Sequence, residues 1–258
     1  MINTPITACV LTQNAERSIR ASLESLAWCE EVVVLDARST DRTRDIAADC
    51  GARVVPGHGG TSGAHRQIGV REATHEWILF LRADERPSPE LARELLRRKL
   101  YGLGEFAAYE VPFVSTYFGH AMRHGDWSPD HRIRLFNRRR AVFADDSLQE
   151  RVISYGPVGR LRGHVLHDTY QDLDHQLDKL RRHASLMAEV IAENGRHASV
   201  SRMLFDPLWR FLRAYLLRGG YRDGWRGLAV AQIEANFAWE KQLRLYVSER
   251  QRAQPDAR

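Results

Sequence analysis

Residues 76–86 constrain the possible folds of this chain more than any other stretch. Five consecutive apolar residues, Trp77 to Leu81, predict a strand that is buried on both faces. Residues 82–86 (RADER) follow, four of them charged, and Pro87 and Pro89 predict that the strand does not continue. Open α/β sheets bind ligands at the carboxyl edge of such strands. Carboxylates at this edge suit a hard divalent cation on a diphosphate, while the alternative is a solvated loop.

The composition is that of an ordinary folded protein with a small excess of positive charge. The chain has 258 residues, 43% of them hydrophobic, with 38 Lys and Arg, 33 Asp and Glu, and a net charge of +5. This length predicts one large domain or two small ones. The modest excess fits phosphate-bearing ligands or an anionic membrane surface. It does not indicate a dedicated nucleic-acid-binding protein, because such proteins cluster their charge further.

Cysteine usage and hydropathy predict a cytosolic protein. Cys9, Cys29 and Cys50 are an odd number of cysteines without a CxxC pair, which is typical of reduced thiols, and Cys9 is expected in the core. No apolar run reaches the ~18 residues that a membrane-spanning helix needs. The N-terminal residues also lack the basic and long apolar regions of a signal peptide.

The first hundred residues alternate between strand and helix patterns. Short apolar or β-branched runs predict strands over 6–11, 31–35, 54–55 and 77–81. Helical spacing separates these runs, and Asn14 is the predicted N-cap of the first helix. Such alternation predicts a parallel, doubly wound α/β sheet. Because right-handed crossovers place the ends of the first, second and fourth strands at one edge, Thr12, Asp36 and Asp84 are expected to converge on one cleft.

The residue types at this edge predict phosphate and nucleoside binding. Asp36 could accept a hydrogen bond from a base or ribose, Arg66 could hold a phosphate by a bidentate contact, and Asp84 could hold a metal on a diphosphate. The structural alternatives are a helix or turn cap for Asp36 and a surface cation for Arg66. GxGxxG and GxxxxGK[ST] are both absent after the first strand, which disfavours a Rossmann dinucleotide site and a P-loop.

Three parts of the chain together resemble the glycosyltransferases of family 2, which have the GT-A fold. These parts are residues 6–12 with Asn14, residues 32–36 (VVVLD) with 39–43 (STDRT), and residues 77–81 (WILFL) with 83–85 (ADE). The most similar group is the bacterial lipopolysaccharide-core glycosyltransferases of the β-1,4-glucosyltransferase type. The resemblance implies a nucleotide-diphospho-sugar transferase of class α/β, with a doubly wound mixed sheet and a helical C-terminal extension. It also implies a nucleotide-sugar donor, usually UDP-linked, and Mg²⁺ or Mn²⁺ as cofactor.

The resemblance also assigns site residues by position. Thr12 and Asp36 match the nucleoside-binding positions, and Asn14, in the first motif, is expected to bind substrate. Arg66 matches the basic position before the metal motif, and Asp84 matches the last carboxylate of the Asp-x-Asp motif.

Three residues depart from the family pattern. Where the family has Asn-Glu, Asp-x-Asp and His-Glu, this chain replaces the Glu by Ala15, the first Asp by Arg82 and the His by Gln149. Arg82 either neutralises the diphosphate in place of part of the metal's charge or marks a weakened metal site. The sequence therefore predicts an active transferase. The alternative is a catalytically impaired protein that binds a sugar nucleotide or a partner enzyme without turnover.

Residues 101–170 are predicted to form the half of the fold that binds the acceptor. Residues 107–118 alternate between apolar and polar and predict strands, and residues 132–136 predict another strand. The polar loop between them contains Trp127, which is expected to bind the acceptor; the alternative is a loop without a binding role.

Candidate acid and base groups follow. Inverting sugar transfer needs a carboxylate that takes the proton of the attacking hydroxyl. Glu150, in the position of the family's His-Glu pair, is the predicted base, and Asp146 is the next candidate; the alternative is that both are solvated loop charges. His167 is expected to contact the diphosphate or a metal, or else to be structural.

Helical periodicity dominates the chain after residue 172. The predicted helices cover 173–194, 203–217 and 225–247, and a polar tail follows over 248–258. Six arginines lie in or beside the second of these helices, with Trp209 and Trp225 among them. This pattern predicts either a helix in an anionic membrane interface or an amphipathic helix packed on the catalytic domain.

With the resemblance, the sequence predicts an inverting transferase that moves a hexose from a nucleotide-diphosphate sugar to a lipopolysaccharide-core or lipid-linked saccharide. It is expected in the cytoplasm, free or peripheral on the inner membrane, without a nucleic-acid partner. The predicted domains are a GT-A catalytic domain over 1–170, with a nucleotide half (1–100) and an acceptor half (101–170), a helical extension over 171–250 and a flexible tail over 251–258. A nucleotidyltransferase is the third alternative, but residues 12–16 lack the glycine-rich, basic loop that such enzymes use.

Overall fold

The computed structural model describes residues 3–57, 63–144, 151–170 and 172–253. The chain divides into two compact units. The first, called the sheet unit, is Met1–Val114 with Asp130–Asp168, and the second, called the helical unit, is Ser115–Pro129 with Thr169–Arg258. The predicted domain boundaries stay predictions, and residues 115–129 group with the C-terminal helices.

Strands and helices alternate in the first part of the sheet unit. They are β1 (Ile6–Thr12), α1 (Ile19–Glu24), β2 (Glu31–Asp36), α2 (Thr43–Asp49), β3 (Arg53–Pro56), α3 (Gly63–Glu72) and β4 (Trp77–Arg82). β1 pairs in parallel with β2 and β4, and β2 pairs in parallel with β3. The predicted parallel sheet is therefore confirmed, with each predicted strand found within one residue of its expected ends.

The following elements complete the sheet. They are β5 (Glu85–Pro87), α4 (Pro89–Tyr101), β6 (Ala108–Tyr117), β7 (His120–Ala121), β8 (Asp130–Asn137), β9 (Ala141–Phe143), β10 (Val152–Ser154), β11 (Val158–Arg160) and β12 (Val165–Asp168). β8 runs antiparallel to β4 and β6, and β12 runs antiparallel to β5. The strand order β3-β2-β1-β4-β8-β6-β12-β5 is that of a mixed α/β sheet, which confirms the predicted GT-A arrangement.

Strand β4 is buried on both faces, as its apolar run predicted. Leu79 and Leu81 belong to one core cluster, whereas Ile78 and Phe80 belong to another. Because successive side chains of a strand point to opposite faces, these clusters cover the two sides of the sheet. Burial of each such side chain contributes about 1.5–3 kcal/mol, so the carboxyl end of β4 is held firmly in place.

Of two local predictions, one was confirmed and one was wrong. The strand that begins at Trp77 ends at Arg82, before Pro87 as predicted, and Pro87 itself lies in a separate strand, β5, where it pairs with Val165 of β12. β5 is the last strand in the sheet order, where a missing N–H costs no ladder hydrogen bond. Asn14 is not the cap of α1, because a turn intervenes in which the backbone N–H groups of Ser18 and Ile19 both donate to the carbonyl of Ala15.

The helical unit contains the end of β6, β7 and the C-terminal helices. Its helices are α5 (Leu173–Glu193), α6 (Val200–Leu212), a π-helical turn (Arg213–Leu217) and α7 (Gly224–Ala253), with 3-10 turns at Gly125–Trp127 and Gly220–Asp223. A separate core of Tyr117, Met122, Val230 and Ile233 holds them together. Within the described ranges, no helix has both the length and the apolar character to cross a membrane.

Helix α7 is longer than the sequence predicted. A polar tail was expected from residue 248, but the helix continues to Ala253. The reason is a tertiary contact, since Glu249 Oε1 accepts a hydrogen bond of 2.9 Å from the backbone N–H of Ala198. Polar composition alone could not reveal this anchor.

The amino edge of the sheet carries a closed polar network around Glu31. Burial opposes the charged form of Glu31, but hydrogen bonds from the Thr74 N–H, the Thr7 hydroxyl and the Arg53 guanidinium lower the pKa of this carboxyl from 4.5 to about 2. A pKa that is lower in the folded state contributes stability above the unfolded pKa. This contribution is lost as the pH falls from about 4.5 towards 2.

We therefore expect the free energy of unfolding of Glu31→Gln to fall less steeply at acid pH than that of the wild type. Between pH 5 and pH 2 the wild type should lose unfolding free energy with an extra slope of up to about 1.4 kcal/mol per pH unit. Urea unfolding followed by circular dichroism at several pH values measures this slope. An equal slope in the wild type and in Glu31→Gln would contradict the assigned role of the network.

Candidate functional site

The carboxyl ends of β1, β2 and β4 lie side by side. Thr12 is in register with Asp36, and the N–H of Ala37 donates to the Thr12 carbonyl at 2.8 Å. On the other side of β1, the N–H of Ala83 donates to the Leu11 carbonyl at 2.9 Å. The structure thus brings Thr12, Asp36 and the turn that carries Asp84 to one edge of the sheet, as expected from right-handed crossovers.

Thr12 presents a buried hydroxyl at this edge. The residue is 3% exposed, and its Oγ1 has no hydrogen-bond partner among the residues that the structure describes. By contrast, the buried hydroxyl of Thr7, at the opposite edge, donates to Glu31 at 2.7 Å and lies 2.9 Å from the His75 ring. Buried hydroxyl groups in folded proteins are nearly always hydrogen-bonded, so Thr12 is prepared to pair with a ligand.

Asp36 and Asn14 organise the loops around that hydroxyl. Both carboxylate oxygens of Asp36 accept from the N–H of Ser39, at 3.3 and 3.1 Å. Asn14 has a positive φ of 47°, and its Oδ1 accepts from the N–H of Thr40 at 2.8 Å. The turn-cap alternative for Asp36 is therefore present in the structure. It leaves acceptor capacity on the carboxylate, because an ionised carboxylate has about four lone-pair positions.

Asp84 lies between a guanidinium and an imidazole. Its Oδ1 is 3.3 Å from Arg82 Nε, and its Oδ2 is 3.4 Å from His167 Nε2. Its backbone carbonyl accepts from the N–H of Asp168 at 2.9 Å, which ties the β4–β5 turn to the end of β12. The structure thus places His167, predicted from a distant part of the sequence, beside Asp84.

The donor atoms at Asp84 fit a cation that is shared with a phosphate ligand. Mg²⁺ is usually bound by one or two carboxylates and by substrate phosphates, and it retains several waters. The Asp84 carboxylate meets that limited requirement, with the His167 imidazole beside it, although the adjacent Arg82 competes for Oδ1. Within the described ranges, no group of three His, Cys, Asp or Glu side chains could hold a metal by itself.

A buried ion pair beneath the turn was missed by sequence reasoning. Glu85 and Arg134 are each 1% exposed, and Arg134 Nη2 donates to Glu85 Oε1 at 2.8 Å. Glu85 Oε2 also accepts from the backbone N–H of Arg82 at 3.1 Å, so the pair fixes the first residue of the Asp84 turn. A usable signal was present, because Arg134 interrupts an apolar stretch of β8.

The other predicted site residues take no part in the contacts described above for Thr12, Asp36 and Asp84. Arg66 is 3% exposed in α3, so it is not the surface cation of the structural alternative. Trp127 lies in the helical unit, where its ring packs near Tyr117 and its Nε1 donates to Glu234 at 3.1 Å. The predicted bases, Glu150 and Asp146, lie outside the described residues.

Chemically, the edge of the sheet can bind a polyanion together with a hydrogen-bonding group. Arg82 and His167 supply a guanidinium and an imidazole beside the Asp84 carboxylate. Thr12 and Asp36 supply a hydroxyl and a carboxylate on the adjoining strands. Charge-assisted contacts of this kind suit a diphosphate, and neutral polar contacts suit a sugar or base.

Sequence comparisons identify similar proteins over nearly the whole chain. The profile of glycosyl transferase family 2 matches residues 7–155, which is more than half of the sequence. A lipopolysaccharide core biosynthesis glycosyltransferase, LpsC, of Rhizobium meliloti (strain 1021) is 26% identical over 261 residues, covering 98% of this chain and 96% of the relative. An uncharacterized glycosyltransferase of Rickettsia typhi is 26% identical over 251 residues, covering 93% of this chain and 85% of the relative.

Two solved structures illustrate how far the course of the chain is shared. S. aureus TarS 1–349, in complex with UDP-GlcNAc, has a TM-score of 0.48 and 16% identity, covering 93% of this chain and 92% of that one. Glucosyl-3-phosphoglycerate synthase of Mycobacterium tuberculosis, in complex with Mn²⁺, UDP and glucosyl-3-phosphoglycerate, has a TM-score of 0.47 and 18% identity, covering 76% and 82%.

Proposed function

Because this chain belongs to glycosyl transferase family 2, and is therefore a glycosyltransferase, we propose that it moves a hexose from a UDP-linked donor to a lipopolysaccharide-core or lipid-linked saccharide. The transfer inverts the anomeric carbon. The acceptor class is supported by the relative that is similar over almost all of both chains and is named for lipopolysaccharide core biosynthesis.

The observation that carries the donor assignment is the buried Thr12 hydroxyl at the carboxyl edge. It lacks a partner among the described residues and adjoins Asp36 in register. Thr12, Asn14 and Asp36 bind the nucleoside, and Arg66 binds phosphate. The unpaired Thr12 hydroxyl costs free energy in the free protein. A hydrogen bond to the nucleoside removes this cost and so favours binding.

Asp84 and His167 hold Mg²⁺ or Mn²⁺ on the diphosphate. When bound, the cation stabilises the negative charge that develops on the leaving diphosphate. Arg82 lies beside Asp84 and adds a fixed positive charge for the same group. A second carboxylate in the position of Arg82 would help to bind the metal, whereas the guanidinium repels it. We therefore expect UDP binding and transfer to depend less on metal here than in a site with two carboxylates.

The transfer step needs one proton acceptor. The oxygen of the acceptor hydroxyl forms a bond to the anomeric carbon, while the bond from that carbon to the diphosphate oxygen breaks. Glu150 takes the hydroxyl proton, with Asp146 as the second candidate. No general acid is required, since the diphosphate leaves as a stabilised anion. We assign Trp127 to binding of the acceptor. We also propose that the reaction occurs on the cytoplasmic side of the inner membrane.

Calorimetric titration of UDP into Thr12→Val tests the donor assignment. Loss of one hydrogen bond should weaken UDP binding about tenfold. The same substitution should leave the free protein equally stable or slightly more stable, because it removes a buried hydroxyl without a partner among the described residues.

Thr7→Val is the matched control. Its hydroxyl is hydrogen-bonded at the opposite edge of the sheet, so this variant should lose stability and retain UDP affinity. Absence of UDP binding by the wild type, or unchanged affinity in Thr12→Val, would remove the basis of the donor assignment.

One observation favours a second function, nucleotide binding without turnover. Arg82 Nε lies 3.3 Å from Asp84 Oδ1, where it competes with a cation. A protein of this kind would bind UDP but would not release it from a UDP-sugar in the presence of acceptor. Measured release of UDP from UDP-hexoses, with and without lipopolysaccharide core, distinguishes this function from glycosyl transfer.

A further inference from the structure

Helix α6 has an apolar face that the helical unit does not cover. None of its thirteen residues is buried. The exposed apolar side chains, here called the α6 face, are 36% to 66% exposed. They are Leu204, Phe205, Leu208, Trp209, Leu212 and, in the π-helical turn, Leu216. Spacings of three and four residues place such side chains on one side of a helix, so they form a continuous stripe.

The charges along this segment are asymmetric. Residues 199–228 contain six arginines but only two aspartates and no glutamate. Three of these arginines pair with carboxylates outside this range, Arg210 with Glu234, and Arg213 and Arg218 with Asp126. Of the two aspartates, Asp223 is turned inward: its side chain is 5% exposed and its carboxylate accepts from the N–H groups of Arg123 and His124. Arg202, in α6, and Arg222, in the 3-10 turn that follows it, are exposed. The surface therefore offers cations and apolar groups but few accessible carboxylates.

The turn between α6 and α7 is closely packed. A Cβ atom at Gly227 would lie 1.8 Å from the carbonyl oxygen of Gly220, and a Cβ at Gly220 would lie 2.7 Å from that of Ala214. The turn between α6 and α7 can therefore close only with glycine at these positions.

We propose that the α6 face docks on an anionic lipid bilayer, with its leucines and aromatic rings in the interfacial layer and its arginines at the headgroups. Apolar residues next to cations and tryptophan are what such an interface binds. Charge complementarity favours a lipid surface over a second copy of this chain, because two arginine-rich faces would repel each other. Docking of α6 uses no donor-site residue, so it can succeed or fail independently of UDP binding.

Flotation of the full chain with vesicles tests the proposal. The wild type should float with vesicles that contain phosphatidylglycerol, and less with phosphatidylcholine alone or at high salt. Leu208→Ser with Trp209→Ser should reduce the bound fraction about tenfold or more, since two large apolar side chains leave the interface. Arg202→Glu should reduce binding to anionic vesicles about fivefold or more.

The matched control is Leu100→Ser with Tyr101→Ser. This is also a leucine next to an aromatic residue, exposed on α4 of the sheet unit, and the variant should float like the wild type. Failure of the wild type to float, or equal flotation of the α6 variant and the control, would overturn the proposal. A dimer that dissociates only in the α6 variant, seen by light scattering, would assign the face to a second copy and also overturn it.

Discussion

Arg134→Met should lower the free energy of unfolding by about 3–5 kcal/mol, the largest stability effect that we expect from one side chain. Arg134 and Glu85 form a buried pair with 2.8 Å between Nη2 and Oε1. Removal of the guanidinium leaves a carboxylate in the core without its countercharge. Arg134 also lies over the Phe113 ring, with Cζ 5.1 Å from the centroid, so packing is lost as well.

A double-mutant cycle separates the pair from these other contributions. Glu85→Gln combined with Arg134→Met should be less destabilised than the sum of the single variants, because the neutral amide needs no countercharge. The exposed pair of Arg160 and Glu110, at 3.2 Å, serves as control, and Arg160→Met should change stability by less than about 0.5 kcal/mol. Urea unfolding followed by circular dichroism measures all variants. A cost below about 1 kcal/mol for Arg134→Met would show that the buried charge is compensated in another way.

Asp84→Ala should abolish the effect of metal on UDP binding. In the wild type, Mn²⁺ should tighten UDP binding relative to EDTA, because the Asp84 carboxylate and the His167 imidazole, 3.4 Å apart, can share a cation with the diphosphate. The variant should bind UDP with the same affinity in Mn²⁺ and in EDTA. In a transfer assay we expect a loss of about 10²-fold or more, as for other groups that stabilise developing charge.

Two further variants make the calorimetric result specific. Asp49→Ala removes an exposed carboxylate at the end of α2 and should keep the metal effect. Arg82→Ala should enlarge the metal effect, because the guanidinium 3.3 Å from Asp84 Oδ1 no longer competes with the cation. If wild-type UDP affinity is identical in Mn²⁺ and EDTA, Asp84 has no role in metal binding, and Arg82 is the charge that serves the diphosphate.

Much of the sheet could be predicted because its signals are local. The run from Trp77 to Leu81 predicted a strand buried on both faces, and β4 was found over Trp77–Arg82 with its residues divided between two core clusters. The right-handedness of the crossovers predicted that Thr12 and Asp36 lie at the same edge of the sheet, and the structure places them in register. The candidate site could be located to this extent because parallel strands end at a common edge.

The details of that site could not be predicted, because they depend on partners that are remote in sequence. Glu85 belonged to a charged run that suggested a solvated turn, yet Arg134, 49 positions later, draws it into the core. Asn14 had the composition of a helix cap, but its amide oxygen binds the N–H of Thr40 across the sheet edge. Each side chain had several possible local roles, and a partner from a distant part of the sequence decided between them.

The amino-acid sequence by itself determined the α/β class, the order of strands and helices in the first hundred residues, and the edge at which polar groups gather. Hydrophobic periodicity and crossover handedness are properties of short segments, so they can be read without a structure. The tertiary structure alone decided which charges are buried, that His167 lies beside Asp84, and that the α6 face is left exposed. Burial and ion pairing depend on what packs against a side chain, and the chain supplies those neighbours only when it is folded.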